Sequence, residues 1–254
     1  MSDFVTVNGV QLEFVWHGLP PAQAPTIVFL HEGLGSITQW RNFPSEICSR
    51  TGLGGLVYNR RGHGRSSPLA AARSVRFMHE EACDVLPGVL ESFEIARPIL
   101  VGHSDGASIA LIYAGSGGDA ASLVLEAPHV FVEDVTVNRI ATLRDQYRQN
   151  DLRTKLARHH GDNTGRLFDT WTDVWLRPAF RGWNIEGFVE DIRCPTLVLQ
   201  GRQDEYGTDQ QVDAITSRLR GRWEARLLDR CGHAPHIDQQ TIVSDMVSQF
   251  IRDN

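Results

Sequence analysis

Eight short apolar runs punctuate the chain: FVTVN, QLEFVW, TIVFL, GLVYN, PILVG, SLVLEA, TLVLQ and EARLLD, each bounded by glycine, proline or polar residues. Runs of this length, rich in Val, Ile, Leu and Phe, predict strands. The first two flank Asn8-Gly9, a dipeptide suited to the positive φ of a tight hairpin turn, so the sheet should open with an antiparallel pair. From the third run onward, strands alternate with helix-length stretches. Continuous apolar strands separated by helices predict the α/β class, a mostly parallel sheet with helices on both faces.

The alternation stops between about Phe131 and Trp183, where no strand run occurs. Val137, Ile140, Leu143 and Tyr147 are spaced as one helical stripe, and Leu167, Trp171 and Trp175 as another. This predicts a helical cap inserted between the sixth and seventh strands, with 1–130 and 187–254 as core and 131–186 as lid. Aromatic stripes of this kind pack a core first of all. A lid over the strand ends would also line a pocket with its inner face, so Trp171 and Trp175 are the expected substrate contacts. With Phe168 and Phe180 they point to an apolar acyl or aromatic group.

Composition narrows the class of protein. At 254 residues, 41% hydrophobic and 22% charged, the chain can bury one sizeable core and reads as a soluble globular protein. A formal net charge of -6 argues against a nucleic-acid partner. The start, MSDFVTVNGVQLEF, lacks a basic segment followed by an apolar one, and no later run is long enough for a membrane span, so a cytoplasmic location is expected. Cys48, Cys83, Cys194 and Cys231 show no short paired spacing, which predicts four packed thiols rather than a zinc or disulfide framework. Nothing in the sequence sets an oligomeric state.

Candidate chemistry concentrates in ILVGHSDGASIALIY, Ile99 to Tyr113, where a strand runs into Gly102-His103-Ser104-Asp105-Gly106 and a helix pattern follows. G-x-S-x-G alone is a weak motif; a strand, a tight turn and a helix give it the setting of a nucleophile elbow. A serine hydroxyl needs a base, and the base needs an orienting acid. GRQDEYG after the seventh strand places Asp204 at its carboxyl end, and DRCGHAPHID after the eighth places His233 likewise. A parallel sheet would gather Ser104, Asp204 and His233 on one edge, where such sheets bind ligands.

With these features, and with Asn59-Arg60-Arg61-Gly62-His63-Gly64-Arg65-Ser66-Ser67 similar to the loop D-x-R-G-x-G-x-S, the chain resembles the α/β-hydrolase family over nearly its whole length. The resemblance implies a serine, histidine and aspartate triad at Ser104, His233 and Asp204. It also implies an oxyanion hole made by the amides of Asp105 and of Gly33, in the loop His31-Glu32-Gly33-Leu34-Gly35. Glu32 departs from the family pattern, which has glycine there. A carboxylate aimed at the oxyanion would oppose its charge, so Glu32 is expected to accept nearby amides or pair with Arg60 or Arg61, with substrate orientation or acid-base work as the alternative.

Each role has a rival. Glu126, ending the sixth strand, competes with Asp204, while Glu205 reads as solvated. His236 competes with His233, whereas His103 and His31 read as packed, hydrogen-bonded residues and His159 and His160 as surface. Asp105 reads as a first-turn carboxylate favoured by the helix dipole. The leading expectation is a serine hydrolase cleaving a small carboxylic ester through an acyl-enzyme, with no metal and no organic cofactor required. Carbon-carbon hydrolysis of ring-cleavage products is the closest rival, although the elbow reads GHSDGA rather than G-N-S-x-G-G and no tryptophan follows His233. A hydrolase-like ligand receptor with little turnover is the third reading.

Overall fold

A computed structural model of the chain describes residues 2–254. The eight apolar runs form one sheet in the order β1-β2-β4-β3-β5-β6-β7-β8. β1 (Asp3–Val7) and β2 (Val10–His17) pair antiparallel around Asn8-Gly9, where both residues adopt positive φ. β2 is also antiparallel to β4 (Gly54–Tyr58). From β4 the sheet continues in parallel through β3 (Thr26–Leu30), β5 (Ile99–His103), β6 (Ser122–Glu126) and β7 (Thr196–Gly201) to β8 (Trp223–Leu228). The carboxyl ends of these parallel strands therefore share one edge.

Every residue of β3 to β7 is buried, as expected for strands covered on both sides. The strand period of two divides them between the faces. Ile27, Phe29, Val101, Val124 and Leu199 pack with Phe43 and Ile47 of the helix Phe43–Thr51 and with Val243 and Val247 of the C-terminal helix Gln240–Asp253. Val28, Leu30, Leu100, Leu125 and Val198 pack instead with Ile109 and Ile112 of Asp105–Gly115, with Leu86 and Val89 of Leu86–Ser92, and with Val212 of Asp209–Thr216.

Between β6 and β7 the chain forms the helices Asp134–Gln149, Leu152–His160 and Thr164–Trp175. Its departure and return are clasped together: Phe131 bridges Asn184, and the Ile185 amide donates to the Val130 carbonyl at 2.7 Å. Among the described residues, no helix is long and apolar enough to cross a membrane. The thiols differ from the expectation in one place. Cys48 and Cys231 are buried and Cys194 is half-buried, but Cys83 is exposed, on the solvent side of the helical turn Glu81–Val85.

The two-sided core predicts a sharp contrast between two truncations. Leu100→Ala, at a position with 0% exposure in β5, should lower unfolding stability by about 2–5 kcal/mol. Ile242→Ala, at 47% exposure, should change it by less than about 0.5 kcal/mol. Urea unfolding of both variants measures this, and equal losses would contradict the core assignment.

Candidate active site

The turn from β5 into the helix Asp105–Gly115 is a single strained residue. Ser104 adopts φ 53° and ψ -117°, a conformation that side-chain-bearing residues occupy at a cost and hold only when their surroundings fix them. Its amide donates to the Glu126 carbonyl at 2.8 Å, and its carbonyl accepts from the Ser108 amide at 3.0 Å. The helix can start so close to the sheet because position 106 is glycine. A Cβ there would lie 1.9 Å from the Leu30 carbonyl oxygen.

Three strand ends meet at this serine. His233 Nε2 lies 2.9 Å from Ser104 Oγ, and His233 Nδ1 lies 2.9 and 2.8 Å from the two oxygens of Asp204. Asp204 also accepts from the Tyr206 amide at 2.7 Å and from Gln200 Nε2 at 2.6 Å. Burial alone would raise the Asp204 carboxyl, but the neighbouring His233 and these donors outweigh it and hold the group below its ordinary value. Burial alone would lower His233, but Asp204, with a smaller contribution from Glu32, brings it above the ordinary imidazole value. With Nδ1–H donated to Asp204, Nε2 is left to accept from Ser104.

The rival acid and rival base are paired with each other. His236 Nδ1 sits 2.6 Å from Glu126 Oε2, both side chains are buried, and neither bonds to Ser104 or His233 through its side chain. His103 is held neutral by burial, and its Nε2 donates to the His233 carbonyl at 2.6 Å, fixing the loop that carries His233.

Opposite the elbow, four successive carbonyls of the loop after β3 are clamped from behind. Buried Arg60 donates to the His31 carbonyl at 2.5 Å and to the Glu32 carbonyl at 2.9 Å. His63 Nε2 approaches the Gly33 carbonyl at 3.1 Å, and His160 Nε2 approaches the Leu34 carbonyl at 2.9 Å. Burial holds both of these imidazoles neutral, His160 at about 4. With the carbonyls turned away, the Gly33 amide is left without a protein acceptor among the described residues, as is the Asp105 amide at the helix start. Arg60 thus grips the backbone of Glu32 rather than its carboxylate. One carboxylate oxygen accepts from the Leu34 amide at 2.6 Å, which is the amide half of the expectation for this residue.

Trp171 links the inserted helices to both halves of the site. Its indole N–H donates to Asp105 Oδ2 at 3.0 Å, and a Cβ on Gly33 would lie 2.1 Å from the same indole nitrogen. Burial raises the Asp105 carboxyl above its ordinary value against the opposing pull of Arg60 and of this hydrogen bond. Ser104, His233, Glu32 and Asp105 line a cavity of about 490 Å³ whose apolar wall includes Ile140, Leu143, Leu156, Trp171 and Trp175.

Sequence reasoning misplaces His160, which is buried rather than on the surface and joins the clamp; its accepted bond from the Gly64 amide at 3.0 Å explains the burial. It also passes over Tyr206 and His129, whose rings lie 4.6 and 5.7 Å from the His233 ring. Tyr206 follows Asp204 by two residues and donates its amide to it, a loop-closing pattern the sequence offers for reading. His129 carries no such signal.

The relay has a signature in solution. An NMR titration should show His233 inflecting above the ordinary 6.5, with Asp204→Asn moving the inflection down. The stability that His233 gains from this pairing is full below 6.5 and disappears as pH rises through its raised value. An inflection below 6.5 in the unmodified protein would contradict the pairing.

The model of the Alpha/beta hydrolase family matches residues 27–245. A relative from Cupriavidus pinatubonensis, named 2-hydroxy-6-oxononadienedioate/2-hydroxy-6-oxononatrienedioate hydrolase, is 26% identical over 291 residues, spanning 98% of this chain and 95% of its own. Among solved structures, 2-hydroxy-6-oxo-6-phenylhexa-2,4-dienoate hydrolase from Rhodococcus sp. strain RHA1 superposes with TM-score 0.81 at 16% identity, over 99% of this chain and 100% of that one. The enol-lactonase from Burkholderia xenovorans LB400 gives TM-score 0.73 at 21% identity, over 98% and 99%. The family match over most of the chain, together with the sheet order and the serine at the turn after β5, places this protein in the alpha/beta hydrolase family.

Proposed function

We propose that this protein is a serine hydrolase that cleaves a small carboxylic ester through an acyl-enzyme. The observation that carries the reading is the hydrogen-bonded chain Ser104–His233–Asp204, together with the amides of Gly33 and Asp105, which have no protein acceptor among the described residues. Ser104 Oγ attacks the carbonyl carbon as its proton passes to His233 Nε2, and Asp204 holds the resulting imidazolium. The two amides receive the negative charge on the former carbonyl oxygen, a contribution of about 2.7–4 kcal/mol where a single comparable donor has been removed. The leaving alcohol takes the proton from His233. Water, deprotonated by the same nitrogen, then releases the acid. No metal or organic cofactor enters these steps.

In this reading residues 131–186 act as the lid over the core formed by 1–130 and 187–254, and Trp171 and Trp175 form the wall against which an apolar acyl or aromatic group lies. Trp171 has a second role, since it bonds to the residue whose amide serves the oxyanion.

Carbon-carbon hydrolysis of a ring-cleavage product is the second reading, favoured by the full-length relative named for such a substrate. Both that name and the name of the Rhodococcus enzyme specify substrates bearing carboxylate groups. The cavity here offers them Arg41 as its one arginine or lysine, together with two carboxyl groups, Glu32 and Asp105. This charge balance supports a neutral ester over a dioate.

Two measurements test the reading. An active-site-directed phosphonate should add once to the intact protein, as read by mass, and should not add to Ser104→Ala; an adduct that survives the substitution overturns the assignment. A panel of acyl esters run beside one ring-cleavage substrate should then show faster turnover of esters, and the opposite order would favour the second reading.

A further inference from the structure

Glu32 occupies a position next to the Gly33 amide and uses only half of its hydrogen-bonding capacity. One oxygen accepts from Leu34, while Oε1 takes no hydrogen bond and no ion pair among the described residues and is not sealed from solvent. The residue lines the cavity that contains Ser104 and His233. A carboxylate oxygen that lines a cavity and has no protein donor is open to a donor from a ligand. No side chain of the cavity wall donates to it. Arg60 is committed to the His31 and Glu32 carbonyls, and Arg41 is exposed. Trp171 donates to Asp105. The histidines His31, His103 and His129 are kept neutral by burial.

The free oxygen also bears on the oxyanion. Burial raises the Glu32 carboxyl above its ordinary value; in its ionised form, one residue from Gly33, it opposes the charge that forms on the substrate oxygen, and the opposition grows in a low-dielectric site. A cation lying between the two would attract both. His233 supplies one such charge when it takes the serine proton, but its ring nitrogens are engaged with Ser104 and Asp204; a cationic group on the substrate is the other source.

We propose that Glu32 selects substrates by charge, accepting acyl groups that carry a protonated amine close to the scissile carbonyl and rejecting those that carry a carboxylate. The proposal rests on the serine hydrolase reading for its location and names the substrate class that this reading leaves open. It assigns Glu32 to substrate contact: the ammonium donates to Oε1 while Leu34 continues to hold Oε2. An anionic acyl group would meet Glu32 with no basic partner beside it.

The test uses three para-nitrophenyl esters of similar size: those of β-alanine, butyric acid and succinic acid, which present an ammonium, a methyl and a carboxylate. In the unmodified protein kcat/KM should fall in that order, with about tenfold to hundredfold between the β-alanine and succinate esters, the range of a hydrogen bond to a charged group. Glu32→Gln retains an acceptor for the Leu34 amide and should bring the ratio toward one. A succinate ester cleaved as fast as the β-alanine ester, or a ratio unaltered in Glu32→Gln, overturns the proposal. Calorimetric binding of phenethylammonium and hydrocinnamate to the unmodified protein reads charge preference without turnover. Ammonium preference with no ester cleavage would sink the hydrolase reading while keeping the role of Glu32; hydrocinnamate preference would sink the role of Glu32, whatever the esterase result.

Discussion

In the proposed reaction the carbonyls of the loop after β3 must point away from Ser104, and the residues that bond them come from distant parts of the chain. Arg60 and His63 belong to the loop after β4, and His160 to the inserted helices, yet together they hold four consecutive carbonyls of residues 31 to 34. A peptide whose carbonyl is fixed has its N–H fixed as well, because the peptide unit is planar. Clamping from behind therefore also fixes the Gly33 amide, which has no protein acceptor among the described residues. Preorganisation of this kind matters because donors already in place need not reorganise when charge develops.

The same economy governs the elbow. Parallel strands bring the ends of β5, β7 and β8 to one edge, so three residues far apart in the chain need only short loops to meet. The strain at Ser104 is held by backbone bonds to β6 and by helix packing that leaves no room for a side chain at Gly106. Two buried pairs then divide the carboxylates and imidazoles between them. Asp204 takes His233, and Glu126 takes His236, which keeps the second acid away from the first base. Of the cavity's carboxyl groups, Asp105 also keeps one unbonded oxygen, Oδ1, but it is buried, whereas Glu32 Oε1 is not sealed from solvent.

The strands and their order follow from local features that the sequence displays openly: continuous apolar runs, one Asn-Gly turn, and helices between. The meeting of Ser104, Asp204 and His233 was legible for the same reason, since each lies in the turn or loop that follows a parallel strand. The clamp was not. His160 sits in ARHHGDN, a polar stretch with surface character, and its burial depends on tertiary contact with Gly64 and Leu34. The behaviour of Arg60 was half legible, as a basic residue near Glu32, but whether a guanidinium meets a carboxylate or a carbonyl is decided by backbone direction. Trp171 illustrates the same limit, because its helical spacing marks an inward face without revealing that the indole nitrogen reaches Asp105.

In the proposed reaction Ser104 is the nucleophile and the Gly33 and Asp105 amides receive the oxyanion. A crystal structure of the phosphonylated protein tests both parts at once. It should show phosphorus bonded to Ser104 Oγ and one phosphoryl oxygen about 2.7–3.1 Å from both amide nitrogens. Phosphorus on another residue, or a phosphoryl oxygen turned away from these amides toward solvent, would contradict the account.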